Sequence, residues 1–177
     1  MAGDESEPVI DAEPERHVLF RVGRALCALP MHEVRQVLST ARITLIPRLP
    51  EFVLGVTNLR GRVLPVVDLA LRLGLESPET AKLRVVVVQH EEMMLGYRVS
   101  QVLGTIDYVP EDVIHTPQVA GGVSAEYLRG VIPDSRSAQA DAPWREIVML
   151  LDLEAMLAAD RSELNRSGSL RGAIRLP

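Results

Sequence analysis

Cysteine is almost missing from this sequence. Cys27 stands alone, which excludes an intramolecular disulfide and leaves an ordinary core thiol as the simplest reading. Aromatic residues are equally sparse, with one Trp, two Phe and three Tyr in 177 residues. The core must therefore be built from Val, Leu and Ile, a composition that favours β structure. No long apolar run exists: runs such as residues 85–88 and 147–151 fall far short of the roughly 20 needed to cross a bilayer. The first residues lack the basic and apolar segments of a signal peptide, so a soluble cytoplasmic protein without direct membrane insertion is expected. A net charge of -5 and a pI near 5.4 argue against nucleic acid and anionic membrane as partners.

Catalytic and metal signatures are missing too. His17, His32, His90 and His115 are scattered, with none three or four residues from another or from Cys27, so no metal site is expected. There is no nucleophile elbow, and Gly121-Gly122 opens no helix that could hold a phosphate. The carboxylate pairs Glu91-Glu92 and Glu111-Asp112 sit beside turn signals, where solvated charge is the ordinary explanation. Enzymatic function thus has no site, and no cofactor is expected.

Residues 1–15 hold six acids and two prolines, too little apolar surface to offset the entropy of ordering them, so a disordered tail is expected. Val18, Phe20 and Val22 then alternate as a strand, Gly23-Arg24 turns the chain, and residues 26–29 return. Met31, Val34, Val37 and Leu38 have the spacing of one helical face after Pro30. Residues 43–46 read as a short strand. The run 85–88, four consecutive valines, reads as a strand buried on both faces, turned by His90-Glu91-Glu92 and followed by a return over 93–99. Further strands are predicted at 104–109, 127–132 and 147–150. Asp152 should cap a short helix ending near Leu157, and residues 159–177 read as a tail. Nine or ten short strands with turns every eight to twelve residues imply small β-barrels or a sandwich.

Residues 55–69, Gly-Val-Thr-Asn-Leu-Arg-Gly-Arg-Val-Leu-Pro-Val-Val-Asp-Leu, organise the rest. Two short strands flank the polar reversal Arg60-Gly61-Arg62. Pro65 lacks an amide donor, which suggests a sheet edge or a bulge. Asp68 suits a helix N-cap and Gly74 a left-handed C-terminal cap. Arg60, in a tight turn between apolar strands, could tie that loop to its own protein or present its planar fork to a partner carboxylate.

This stretch, Asn-Leu-Arg-Gly followed at fixed spacing by Pro-Val-Val-Asp-Leu, resembles the hallmark of CheW-like chemotaxis coupling proteins. Val34-Arg35-Gln36-Val37 and Glu126-Tyr127-Leu128-Arg129-Gly130 resemble further family motifs, and the likeness covers residues 16–158. It implies a mainly β fold of two intertwined five-stranded SH3-like β-barrels with short helices. The first barrel would span about 24–80, and the second about 81–158 together with the first strand. It implies a non-catalytic adaptor that joins chemoreceptor cytoplasmic tips to the regulatory domain of a CheA-type histidine kinase, at membrane-associated arrays reached through partners. Carried over by position, Val34, Gln36, Val37, Gly55 and Arg60 would bind the receptor, and Val85 and Val87 the kinase. Gln36 stands where many members have glutamate, and Ser100 where an aspartate is common. Alternatives are a receptor-binding adaptor that does not engage the kinase, one serving a pathway other than swimming, a small β-barrel that binds nucleic acid, and an esterase or ligand-binding enzyme.

Overall fold

Strand-forming valines and leucines dominate the computed structural model, which describes residues 13–39, 41–77, 84–115, 123–134 and 146–167. Residues 1–12, 121–122, 168–177 and the polar stretch 135–143 lie outside this described part. Ten strands form two five-stranded sheets. The first contains β1 (Glu15–Val22), β2 (Ala25–Pro30), β8 (Gln101–Tyr108), β9 (Leu128–Pro133) and β10 (Ile147–Leu151), in the order β8-β1-β2-β10-β9. The second contains β3 (Val34–Leu38), β4 (Val53–Leu59), β5 (Arg62–Asp68), β6 (Arg84–His90) and β7 (Met93–Val99), in the order β3-β6-β7-β5-β4. The fold is therefore mainly β with two interleaved five-stranded units.

The boundary drawn near residue 80 is corrected by this topology. The β1-β2 hairpin belongs with the late strands, whereas β6 and β7 belong with β3 to β5. Strand alternation explains the arrangement. Val86 and Val88 point into a core shared by both sheets, with Phe20, Leu29 and Tyr97. Val85 and Val87 point the other way, into a smaller core with Leu64 and Val66. The first sheet has its own second face, where Leu19, Leu26, Ile106 and Leu150 meet. Each sheet is thus apolar on both sides, which is why four valines run together without a polar interruption. Cys27 is fully buried in the shared core, and burial pushes its thiol up to about 12, so it is inert packing.

Three local expectations change. The apolar spacing at Met31, Val34, Val37 and Leu38 is not a helix: only Met31–Glu33 turns, as a 3-10 segment, and β3 follows. A bulge between Val34 and Gln36 switches faces, so Val34 packs on the shared core and Leu38 on the smaller one. That extra residue imitates a helical spacing. Pro65 lies in β5, an interior strand, and is neither at an edge nor bulged. Opposite it, Val56 exchanges both backbone bonds with Thr44 at 2.7 and 2.9 Å, and pairing with β7 starts only at Val66. The proline therefore removes no bond from either ladder. The C-terminal helix α2 (Leu153–Ser167) continues ten residues past Leu157, and its Asp160 and Leu164 are buried, so residues 159–167 are not a tail.

The hallmark behaves as read at its end. Asp68 accepts from the amides of Ala70 and Leu71 at 3.0 and 3.4 Å and caps α1 (Leu69–Arg72). Gly74, at φ +75°, closes it, with Leu75 N–H donating to the Ala70 carbonyl at 2.8 Å.

One buried group makes stability pH-dependent. His17 is 1% exposed, its Nδ1 has no hydrogen-bond partner among the described residues, and its Nε2 lies 3.2 Å from the Tyr108 hydroxyl. Burial lowers its pKa from 6.5 to about 4; Glu15 and Glu33 oppose this, and Arg129 and His32 add to it. Because the folded value lies below the unfolded one, this contribution is fully present above pH 6.5 and is lost as pH falls toward 4. Lowering the pH from 7 to 4 is expected to cost on the order of 2 kcal/mol through this residue. Urea unfolding across that range should show a shallower pH slope in His17→Phe than in the natural chain; equal slopes would exonerate His17.

Candidate functional site

The turn between β4 and β5 consists of Arg60 and Gly61, at φ +52° and +87°. Asn58 Oδ1 accepts from Gly61 N–H at 2.8 Å and holds it. Glycine is at home at such a φ, but arginine is not. Arg60 projects exposed from this reversal and makes no hydrogen bond or ion pair among the described residues. Beside it lies a cavity of about 380 Å³, lined by Leu38, Ala41, Arg42, Thr44, Thr57, Asn58 and Leu59. The chain from β3 to β4 crosses here, and its Thr44 bridges to Val56 of the edge strand β4.

Gly55 makes that crossing possible. It is buried at φ +138°, and a Cβ there would fall inside the Thr44 carbonyl oxygen and 2.9 Å from the carbonyl carbon. Its role is to let two backbones touch.

The five residues assigned to the receptor do not share one face. Cross-strand partners point the same way, so Val34 and Val37, opposite Val88 and Val86, lie on the side of the shared core. There Val34 is half-buried, and Val37, 39% exposed, forms the rim. Gln36 and Leu38, opposite Val87 and Val85, lie on the cavity side. The edge strand β3 thus carries candidates on both faces, while Gly55, packed on Thr44, and Arg60, next to Leu59, adjoin the cavity without lining it.

Val85 and Val87 are a correction. They are 4% and 0% exposed, inside the smaller core of the β3 to β7 sheet rather than on a second-barrel surface. A side chain that sees no solvent cannot anchor a partner directly.

A second cluster escaped the sequence. Arg72 lies with its guanidinium 5.0 Å from the Phe52 ring centre and 4.6 Å from that of Tyr127, and pairs with Asp160 of α2. The Tyr97 hydroxyl donates to the same carboxylate at 2.6 Å. Burial pushes the Asp160 carboxyl upward, and the bonds from Tyr97 and Arg72 pull it back. Burial also works against the Arg72 charge, but the carboxylate outweighs it and holds the guanidinium protonated. The desolvation cost of this pair falls mainly on Asp160. Tyr127 comes from the motif around 126–130, the one signal in the sequence that pointed here. Among the described residues, His, Cys, Asp and Glu nowhere gather in a group of three or more that could hold a metal ion. No helix among them is long and apolar enough to cross a membrane.

The CheW-like domain model matches residues 16–161. The chain belongs to the CheW-like domain family. It is 29% identical over 147 residues to a probable chemotaxis protein CheW of Rhizobium etli, covering 82% of this chain and 89% of that one. Protein FrzA of Myxococcus xanthus is 35% identical over 131 residues, covering 73% and 81%. Among solved structures, the scaffolding protein TtCheW from Thermoanaerobacter tengcongensis matches with a TM-score of 0.69 at 25% identity, covering 80% and 90%. In this CheW-like adaptor of the chemotaxis type, the hallmark is the hairpin that forms one end of the second sheet and presents Arg60.

Proposed function

We propose that this CheW-like chain is a non-catalytic cytoplasmic scaffold that couples chemoreceptor tips to the regulatory domain of a CheA-type histidine kinase within a chemosensory array. The observation that carries the receptor half is Arg60. A long cation held in a left-handed turn, beside a cavity of mixed polar and apolar lining and without a partner among the described residues, has its fork free for an external carboxylate. An amphipathic helix laid against β3 would bury Val37 and reach Arg60, the helix-in-groove mode of recognition.

The burial of Val85 and Val87 favours a second reading, a receptor-binding adaptor that does not engage the kinase, because it removes the residues assigned to that contact. Calorimetric titration against a receptor-tip fragment, and separately against the kinase regulatory domain, decides between them. Binding to both supports coupling, binding to the receptor alone supports the second reading, and binding to neither overturns both. Arg60→Glu, verified as folded by circular dichroism, is expected to weaken receptor binding at least about tenfold through charge reversal. Unchanged binding would leave Arg60 as a residue of the turn alone.

A further inference from the structure

The acidic chain carries a basic edge. Between residues 41 and 63 stand Arg42, Arg48, Arg60 and Arg62 against the single acid Glu51. All four arginines are exposed, and none donates to a carboxylate among the described residues. Arg35 adds a fifth positive charge on β3, its Nε donating to the uncharged Gln89 side chain at 2.9 Å. Large apolar side chains are exposed beside this charge: Val37, Leu45 and Val63. The outer edge of β3 pairs with no strand among the described residues, and an open edge is a template for one more.

Residues 1–12 have the complementary chemistry. They hold Asp4, Glu5, Glu7 and Asp11, no Lys or Arg, and the apolar pair Val9-Ile10. They are joined to the fold at the right corner. His17 of β1 pairs with Pro30 at the end of β2, so the chain preceding Glu15 leaves beside the Met31–Glu33 turn that leads into β3. From that turn to Leu38 is roughly 22 Å at 3-10 and strand rises. From Glu15 back to Val9 an extended chain spans about 20 Å. An extended chain of that length would be long enough to bring the apolar pair to the level of Leu38 and the cavity.

We propose that residues 1–12 dock antiparallel along the open edge of β3, with Val9-Ile10 at the Leu38, Ala41 and Leu59 end and the acids against Arg35, Arg42 and Arg60. The tail is then a built-in competitor for the surface that the proposed function assigns to the receptor tip, and this competition rests on that reading. Because the tail is tethered, its effective concentration is set by its length and not by partner supply. Because its contacts are exposed ion pairs, raised salt releases it.

The test uses the full-length chain and a full-length variant with Asp4→Asn, Glu5→Gln, Glu7→Gln and Asp11→Asn. Amide hydrogen exchange is followed for residues 34–38, with the core strand β6 as internal reference. The natural chain is expected to exchange at the β3 edge about tenfold more slowly than the variant, with β6 unchanged. A receptor-tip fragment is expected to bind the variant more tightly, by about the same factor. Equal exchange at β3 in the two proteins overturns the proposal, whatever the receptor fragment does. Protection that rises with protein concentration also overturns it, by giving the edge to a second copy. Slower exchange in the natural chain with identical receptor affinity upholds the docking, and it is then the assignment of this surface to the receptor that fails.

Discussion

Replacing Asp160 with alanine is expected to lower the unfolding free energy by about 3–5 kcal/mol, the cost of stranding a buried charge. For a domain of this size the thermal midpoint should fall by on the order of 10 °C. The side chains of Arg72 and Asp160 are 11% and 0% exposed, so solvent cannot take over from the missing carboxylate. The arginine is also fixed between the Phe52 and Tyr127 rings, which prevents it from swinging outward. Tyr97, buried in the shared core, would lose the acceptor of its hydroxyl. Three elements come apart together: α2, α1 and the turn before β9. Tyr97→Phe is the control, because it removes one hydrogen bond and keeps the ion pair, at about 1 kcal/mol. Arg72→Met combined with Asp160→Leu should cost less than Asp160→Ala alone, since no charge is then left unpaired. Urea unfolding of the four proteins measures all of this. An Asp160→Ala cost no larger than that of Tyr97→Phe would mean that water replaces the carboxylate and that the pair is not closed off.

That network marks the limit of what could be read from residues in order. Strands with a clean period were legible: β1, β2, β6, β7 and β10 lie where alternation or β-branched runs put them, and the Asp68 cap follows from local chemistry alone. What was not legible depends on distant pairing. Asp160 reads as the start of a polar tail until Tyr97 and Arg72, 63 and 88 residues away, are seen to satisfy it. Pro65 reads as an edge signal until the Thr44 bridge takes over the bonds of its neighbour Val56. Val34 and Val37 mimic a helix because a bulge, itself a product of pairing with β6, displaces the alternation. The candidate site divides the same way. Arg60 was visible from its turn, and its lack of a partner among the described residues narrows the two roles it could have had. The cavity beside it was not visible, because Leu38, Thr44 and Thr57 come from β3, the crossing and β4 and meet only in the folded chain. The run 85–88 itself read as buried on both faces, and it is; only the resemblance put the valines at 85 and 87 on a partner surface, because a match by position carries no information about burial.

Gly55→Ala should damage both the fold and the site, and comparing the two separates its structural part from any contact with a partner. At φ +138° an L-residue is strained, by about 1–3 kcal/mol for the backbone alone. The added methyl would also meet the Thr44 carbonyl group and lie 3.1 Å from Ile43 Cγ2, and a backbone carbonyl cannot rotate away as a side chain does. The Thr44 to Val56 bridge must therefore open, giving up two bonds of 2.7 and 2.9 Å. The total expected loss is about 3–4 kcal/mol, read as a lower urea midpoint. Opening that bridge also releases the 41–44 crossing from β4, which dissolves the wall of the cavity while leaving the Arg60 turn, held by Asn58, in place. Receptor affinity should consequently fall in Gly55→Ala even at temperatures where the protein is fully folded. Arg60→Glu should lose comparable affinity at almost unchanged stability, because an exposed turn arginine without partners supports nothing else. If Gly55→Ala unfolds at the natural midpoint, the close approach of the two backbones does not exist in solution. If it is destabilised as expected but binds the receptor tip normally while folded, the cavity wall is not part of the recognition surface, and Arg60 with the rim of β3 carries it alone.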